Sequence, residues 1–339
     1  MNRLLYSNFI NSLRADETKK KYDFCIKDFM KFVNCDNDYS KLLKLKVEQK
    51  IIDYIVHLRK SISSATLNTR LAAVYHFYTM NDVILNKTKI NKYKGEFRRV
   101  KKDRAYTHEE IHRVLDMADL RMKVCILLMA SAGLRIGAVP LIKMKHLEKV
   151  DNNLFKITVY EMTNDEYYTF CTPECASFID EYIKYRERNG EKMTPESYLI
   201  RDRFDDYDFK VNSRGVSKHT IREIIAKLLV KSGTRLVGQV ALTHGFRKFF
   251  TTQLVKADVN VKTELRWMLE GHRLKANDPA YVKTTEKDLL EEYQKAIDNL
   301  TINEEFRLLK KVETLKIEKS QLELIAQDIA MLKRKMKKR

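Results

Sequence analysis

The run Val-Cys-Ile-Leu-Leu-Met-Ala-Ser-Ala-Gly-Leu occupies positions 124–134 and is followed at once by Arg135. An apolar run of this length predicts a buried helix, and Gly133 is of the residue type that ends helices in the left-handed conformation. The run is too short to span a bilayer. The sequence therefore places one arginine at a turn beside the core of a domain.

A second segment, Leu-Thr-His-Gly-Phe-Arg at 242–247, predicts the start of another helix. Thr243 is of a residue type that caps helix N-termini. His244 and Arg247 are three positions apart, so they share one helical face near that start. Free amides and the positive end of the helix dipole favour an anion there, above all a phosphate.

A third segment, Glu270-Gly271-His272, follows an apolar helical stripe formed by Val261, Leu265, Met268 and Leu269. Gly271 suits the left-handed position that closes a helix, so His272 is predicted directly after a helix end. Tyr281 comes nine residues later. It precedes Thr285-x-x-Asp288, a pattern that opens a further helix.

The charge of the chain indicates an acidic partner. Of 339 residues, 65 are Lys or Arg and 46 are Asp or Glu, which gives a formal net charge of +19. Hydrophobic residues make up 44% and charged residues 33%, too apolar for a disordered chain and too charged for a membrane protein. We therefore expect a soluble globular protein that binds nucleic acid.

The cysteines indicate a reducing compartment. There are five of them, at scattered positions, which is not the pattern of a disulfide framework. Cys171 and Cys175 form an isolated pair without the further ligands of a zinc site. The first residues lack the apolar stretch of a signal peptide. We predict a cytoplasmic, DNA-associated protein with neither a metal nor a cofactor.

Hydrophobic spacing predicts four segments. Residues 1–86 form a helical unit, and 87–104 form a basic linker in which nine of eighteen residues are Lys or Arg. Residues 105–300 form a second domain, which opens with the capping box Thr107-His108-Glu109-Glu110. Two β-branched and aromatic runs, 154–160 and 167–171, predict a hairpin inside it. The fold class is thus mainly α, with a small antiparallel sheet.

The last segment, 301–339, is predicted to be a basic helix. A single heptad position is apolar throughout and is occupied by Leu308, Leu315, Leu322, Ile329 and Met336. Its companion position carries Lys311 and Glu318 first. Both a coiled coil and a helix packed on its own domain remain open.

Taken in order, these motifs resemble those of the tyrosine recombinases, the phage integrase group, with its archaeal branch as a candidate. The resemblance is carried by Arg135 in Gly-Leu-Arg-Ile, by His244 and Arg247 in His-x-x-Arg, by His272 in Gly-His, and by Tyr281. It covers about 103–300, and more weakly the N-terminal helices, which look like a core-binding domain.

The resemblance implies a mechanism and a set of roles. Tyr281 would attack a DNA phosphodiester and form a 3′-phosphotyrosine, without ATP or Mg²⁺. Arg135 and Arg247 would clamp the phosphate oxygens, His244 would assist proton transfer at the tyrosine, and His272 would donate to a phosphate oxygen. The implied partner is double-stranded DNA bound by a homotetramer, with integration of a mobile element as the favoured outcome. A type IB topoisomerase would use the same chemistry.

Two positions depart from the family pattern. The hairpin turn, Met162-Thr163-Asn164-Asp165, lacks the lysine that usually protonates the leaving 5′ oxygen, and Lys156 is a weak substitute. The acid usually found three residues after the first arginine is replaced by Ala138. These departures motivate an alternative, a catalytically weak or inactive DNA-binding protein of the same fold.

A third interpretation is a two-metal nuclease centre. It rests on four closely spaced carboxylates, those of Asp202, Asp205, Asp206 and Asp208. They lie in one short segment, whereas metal sites usually gather ligands from distant parts of a chain. We rank it below the other two.

Overall fold

The computed structural model describes residues 2–35, 38–95, 103–150, 153–202, 214–235, 237–256, 258–272 and 285–308, together with 312, 315–316, 319–320 and 322–323. The chain divides into two compact units, Met1–Lys102 and Asp103–Arg339. The fold is mainly α-helical with one small antiparallel sheet, which confirms the predicted fold class.

The first unit is helical. Its helices are α1 (Asn2–Asn11), α2 (Asp16–Phe32), α3 (Tyr39–Lys44), α4 (Val47–Leu58), α5 (Ser64–Met80) and α6 (Lys87–Asn91). Apolar residues at helical spacing, such as Phe29, Ile55 and Phe77, are fully buried in one core. Ser63 caps α5 by accepting a hydrogen bond from the Thr66 amide, as its residue type predicts.

The segment predicted as a basic linker is helical in its first part. The Asn86 side chain caps α6, and a 3₁₀ turn, Lys92–Lys94, follows directly. Ile90 is fully buried in the core of the first unit, and this burial stabilises α6 although the residues around Ile90 are basic. Arg104 belongs to the second unit, because its amide donates to the carbonyl oxygen of Gln239. Residues 96–102 lie outside the described residues.

The second unit opens with the predicted capping box, in which Thr107 and Glu110 exchange hydrogen bonds. Its helices are α7 (His108–Asp116), α8 (Leu120–Ser131), α9 (Pro173–Arg188), α10 (Lys218–Lys231), α11 (His244–Leu254), α12 (Thr263–Leu269), α13 (Glu286–Gln294) and α14 (Ile297–Leu300). Ten of the twelve residues of α8 are buried, and α9 and α11 pack against it. The long apolar run is therefore the central helix of this unit.

The predicted hairpin is present and has a third strand. β1 (Leu147–Val150), β2 (Leu154–Val159) and β3 (Tyr167–Cys171) form an antiparallel sheet in that order. Val159 pairs with Tyr167, and Lys156 pairs with Phe170. β1 was not predicted, because its four residues, Leu-Glu-Lys-Val, carry two charges and too little apolar alternation.

The tail is described only in part. Leu308, Leu315 and Leu322 are 56%, 53% and 66% exposed, so these three are not packed on the second unit. Ile329 and Met336 lie outside the described residues. Within the described part of the chain, no helix is both long and apolar enough to cross a membrane.

Candidate active site

Four of the five predicted site residues come together in the second unit. His244, Arg247 and His272 line an open pocket of about 720 Å³, and Arg135 reaches the backbone of Glu270 at the same site. The pocket is lined by Asp103, Arg104, Ala105, His244, Arg247, Lys248, Thr251, Thr252, Glu270 and His272. Tyr281 lies outside the described residues.

Arg247 is the most deeply buried member, with only 4% of its surface exposed. It extends from α11 and donates hydrogen bonds to the carbonyl oxygens of Gly133 and Glu270. Burial, together with the nearby Arg135, lowers the pKa of its guanidinium. An arginine still keeps its proton in such a setting, so a cation is held here in poor contact with water.

Arg135 stands at the turn that the sequence predicted. Gly133 has a φ of +65°, and a Cβ on it would lie 2.4 Å from the Phe250 ring, so only glycine fits. Arg135 Nη1 is 3.4 Å from the carbonyl oxygen of Glu270 and 3.5 Å from that of Gly271. The guanidinium is thereby directed to the end of α12, where Arg247 is also anchored.

The two guanidinium groups share a further property. Each donates to backbone carbonyls, and among the described residues no carboxylate oxygen lies within 4.0 Å of either. Two neighbouring positive charges are therefore held by dipoles and are not neutralised. Such a pair favours an anion with two or more oxygens, and the planar fork of arginine matches phosphate geometry.

His244 is the first residue of α11 and is exposed to the pocket. Burial, with added repulsion from Lys248 and Arg247, lowers its pKa below the usual value. The ring is therefore neutral at pH 7 and can accept a proton. Thr243 occupies the N-cap position, but its backbone is already helical and its side chain caps nothing, which corrects the predicted hydroxyl cap.

His272 directly follows the end of α12, as the sequence predicted. Gly271 has a φ of +60°, and a Cβ there would lie 2.4 Å from the Tyr167 ring. The ring nitrogen Nδ1 is 3.0 Å from Oε2 of Glu270, and Nε2 is 3.4 Å from Nη2 of Arg247. Burial lowers the pKa of His272, and the carboxylate of Glu270 opposes that shift only in part.

Sequence reasoning missed four pocket residues that carry charge, namely Asp103, Arg104, Lys248 and Glu270. Glu270 is 3% exposed; its carbonyl oxygen accepts from Arg135 and Arg247, and its carboxylate lies 3.0 Å from Nδ1 of His272. Lys248 forms an ion pair with Asp103, the first residue of the second unit. The i+4 spacing of Lys248 from His244 was a usable signal, whereas nothing local pairs Asp103 with Lys248.

Lys156 is not part of this pocket. Side chains alternate along a strand, and Lys156 lies on the face opposite to Val159 and its partner Tyr167, which packs on Gly271. Its ammonium is 2.6 Å from Glu148 and 2.9 Å from Glu286. Burial lowers the pKa of Lys156, but these two hydrogen-bonded carboxylates outweigh that effect and raise it. The geometry therefore speaks against Lys156 as the acid for the leaving oxygen.

The structure also locates Ala138, the second departure from the family pattern, and one of the four aspartates of the nuclease interpretation. Ala138 is buried, with 1% of its surface exposed, so no carboxylate reaches Arg135 from that turn. Asp202 lies 3.9 Å from Arg121, whereas Asp205, Asp206 and Asp208 lie outside the described residues.

The sequence matches the phage integrase family over residues 104–285, more than half of the chain, and the protein belongs to that family. No significant match was found among curated protein sequences.

Solved structures of tyrosine recombinases share its fold. A lambda integrase fragment bound to DNA is 12% identical and superposes with a TM-score of 0.57 over 85% of this chain and 95% of that one. A lambda integrase tetramer bound to a Holliday junction is 13% identical, with a TM-score of 0.55 over 81% and 77%. The XerH site-specific recombinase in a pre-cleavage complex with its difH substrate is 14% identical, with a TM-score of 0.53 over 80% and 78%. At these identities the likeness concerns the fold.

Proposed function

We propose that this protein is a site-specific DNA recombinase that cleaves and rejoins duplex DNA through a 3′-phosphotyrosine intermediate. The observation that carries the proposal is the un-neutralised pair Arg135 and Arg247 beside two histidines. Membership of the phage integrase family supports the same chemistry. Integration of a mobile element is the outcome we favour.

In this mechanism Tyr281 supplies the nucleophile. Its oxygen bonds to the phosphorus while the bond to the 5′ oxygen breaks, and the leaving 5′ oxygen takes up a proton from solvent water. His244, neutral at pH 7, accepts the tyrosine proton. Arg135, Arg247 and His272 stabilise the charge that develops on the non-bridging oxygens. The covalent bond to tyrosine conserves the energy needed for rejoining, so neither ATP nor a metal ion is required.

The partner we propose is double-stranded DNA, bound by a homotetramer. A net charge of +19 supports binding to the phosphate backbone, with the strong salt dependence that counterion release causes. Exposed Leu308, Leu315 and Leu322 support contacts between protomers through the tail. The structures of similar fold include a tetramer of lambda integrase on a Holliday junction.

The competing function is a DNA-binding protein of this fold without efficient cleavage. The observation in its favour is the leaving-group acid, because the hairpin turn has no lysine and Lys156 is engaged with Glu148 and Glu286. Such a protein would bind duplex DNA in a salt-dependent manner and form no covalent product.

One experiment separates the two functions. Reactions in EDTA with nicked or supercoiled DNA that carries candidate element-end sequences are quenched with SDS, and covalent adducts are counted. The wild type is compared with Tyr281→Phe and with Tyr93→Phe, a control at an exposed tyrosine of the first unit. We expect adducts with the wild type and the control only. Tight, salt-sensitive binding without any adduct would favour the non-catalytic protein.

A further inference from the structure

A buried carboxylate lies in the middle of an otherwise cationic site. Glu270 follows the last residue of α12, and only 3% of its surface is exposed. A charged group is buried at this depth only when it is paired or fully hydrogen-bonded. The partners of Glu270 therefore indicate which side chain it positions.

Both carboxylate oxygens have partners. Oε1 accepts a hydrogen bond of 2.8 Å from the Thr251 hydroxyl, which fixes the rotation of the carboxylate from α11. Oε2 lies 3.0 Å from Nδ1 of His272. Arg266, one turn earlier on α12, has its Nε 3.9 Å from Oε1. The shortest contact from the carboxylate to a predicted site residue is thus the one to His272.

The other charged groups that face His272 are all cations. Arg247 approaches from α11, Arg135 from the turn after α8 and Arg266 from α12 itself, and each lowers the pKa of the imidazole. The neighbouring Gly271 packs against the ring of Tyr167 from β3. Glu270 is therefore the one described group that favours a second proton on His272.

We propose that Glu270 is the positioning residue of His272, an inference that rests on the proposed function of this pocket. Glu270 accepts a hydrogen bond from the Nδ1–H of His272, which turns Nε2 toward Arg247 and the open pocket.

The arrangement has a consequence when a phosphate binds. In the free protein the neutral ring accepts at Nε2 from Arg247. A bound phosphate adds negative charge on the pocket side, Glu270 adds it on the other side, and the ring takes up a proton at Nε2. The imidazolium then donates that hydrogen bond to a non-bridging oxygen. Glu270 does not itself touch the substrate.

The test uses the DNA-free full-length protein. The His272 resonances are identified by their loss in His272→Asn, and ¹H–¹⁵N spectra are followed as a function of pH. In the wild type we expect the neutral ring to be protonated at Nδ1. In Glu270→Gln we expect the pKa of His272 to fall by roughly one unit or more, since a carboxylate in contact is replaced by a neutral amide. Glu264→Gln removes the same charge at an exposed position of α12 and should leave it unchanged.

Two results would overturn the inference. One is a neutral wild-type ring protonated at Nε2, a measurement that needs no variant. The other is an unchanged His272 pKa in a folded Glu270→Gln protein. Because neither measurement involves DNA, a failure of adduct formation would refute the proposed function and leave this inference standing.

If adducts form, the pH profile adds a further readout. Donation from Nε2 needs the protonated ring, so adduct formation is lost as the pH rises through the pKa of His272. In Glu270→Gln, adduct formation should fall at a lower pH than in the wild type. The difference in pH should equal the difference in the His272 pKa between the two proteins in the spectra. Glu270→Asp keeps the charge and should lie between the two.

Discussion

The second unit contains two clusters that each combine two arginines with one glutamate. Arg186, Glu191 and Arg201 form one of them, and Arg135, Arg247 and Glu270 form the other. Their residue content is the same, but the hydrogen bonds run in different directions. That difference separates a structural cluster from a functional one.

In the first cluster the carboxylate neutralises the arginines directly. Glu191 accepts from Nε of Arg186 at 2.8 Å, from its Nη2 at 2.5 Å and from Nη1 of Arg201 at 2.8 Å. Arg186 also donates to the carbonyl oxygens of Tyr198 and Leu199. Burial raises the pKa of Glu191, but the two arginines outweigh that effect and lower it to about 2. Both guanidinium groups are thus paired with the same buried carboxylate, and their cluster is closed to an incoming ligand.

In the second cluster the carboxylate is directed elsewhere. Glu270 engages Thr251 and His272, while both arginines donate to backbone carbonyls. The two positive charges thus remain available in a pocket that is open to an incoming anion. We infer that a buried arginine indicates a ligand site when backbone carbonyls accept its hydrogen bonds and no carboxylate neutralises its charge.

The largest effect should come from Glu191. Replacing it with glutamine removes the one carboxylate that both buried arginines share, and loss of one member of a buried ion pair costs about 3–5 kcal/mol of unfolding free energy. Urea unfolding measures the loss. Glu187→Gln, at an exposed position of the same segment, should be nearly neutral. A loss below 1 kcal/mol in Glu191→Gln would remove the contrast between the clusters.

Arg247→Lys should reduce adduct formation strongly and the unfolding free energy only slightly. It keeps a charge but loses the planar fork, and adduct formation should fall about 10²–10³-fold, or roughly 3–4 kcal/mol of transition-state stabilisation. Its unfolding free energy should fall by only about 1 kcal/mol, since an ammonium can still donate to one of the two backbone carbonyls that Arg247 binds. Rates of adduct formation and urea midpoints are measured on the same preparations. A stability loss equal to that of Glu191→Gln would mean that Arg247 is structural as well.

Gly271→Ala tests how the end of α12 positions the site. A positive φ costs about 1–2 kcal/mol for a residue with a Cβ, and here the Cβ would also lie 2.4 Å from the Tyr167 ring. We expect a loss of about 2–3 kcal/mol in urea unfolding. Gly190→Ala is the matched control, because its φ is +86° but nothing lies within 4 Å of the added Cβ. Equal losses in the two variants would show that the Tyr167 ring moves away from the added Cβ at little cost in free energy.

The smallest expected effect is the pH dependence of the unfolding free energy that Glu191 contributes between pH 7 and pH 4. The folded pKa of Glu191 is lowered to about 2 from an ordinary 4.5, so its stabilisation is complete above 4.5 and is lost as the pH falls toward 2. From pH 7 to pH 4 the wild type should lose less than about 1 kcal/mol relative to Glu191→Gln, and most of the difference only below that. Urea unfolding at several pH values measures it. A difference that disappears already at pH 5 would contradict the lowered pKa.

Local patterns in the sequence predicted the parts of the site that depend on nearby residues. The capping boxes at Thr107 and Thr285, the left-handed Gly133 and Gly271 and the hairpin strands are all present. Each depends on side chains or backbone angles within a few residues. The positions of Arg135, His244, Arg247 and His272 around one pocket followed from the family resemblance, and Tyr281 stays a prediction.

The side-chain pairs that the sequence did not predict depend on tertiary packing. Glu270 turns toward Thr251 because α11 and α12 pack together, and Lys156 faces Glu286 across the sheet surface. The side chain of Glu191 meets Arg186 and Arg201 only once the chain between them has folded back. Spacing along the chain carries no information on such pairs. Buried charges are therefore the part of a site that sequence patterns predict least well.

The placement of Asp103 decides where this protein can be shortened. It is the first residue of the second unit, and its carboxylate binds Lys248 inside the pocket. Arg104 then fixes the chain through its bridge to Val240 and its pair with Glu110. A truncated second unit that begins at the capping box would keep α7 to α14 but would lack the carboxylate that pairs with Lys248. A useful boundary for the isolated second unit thus lies before Asp103.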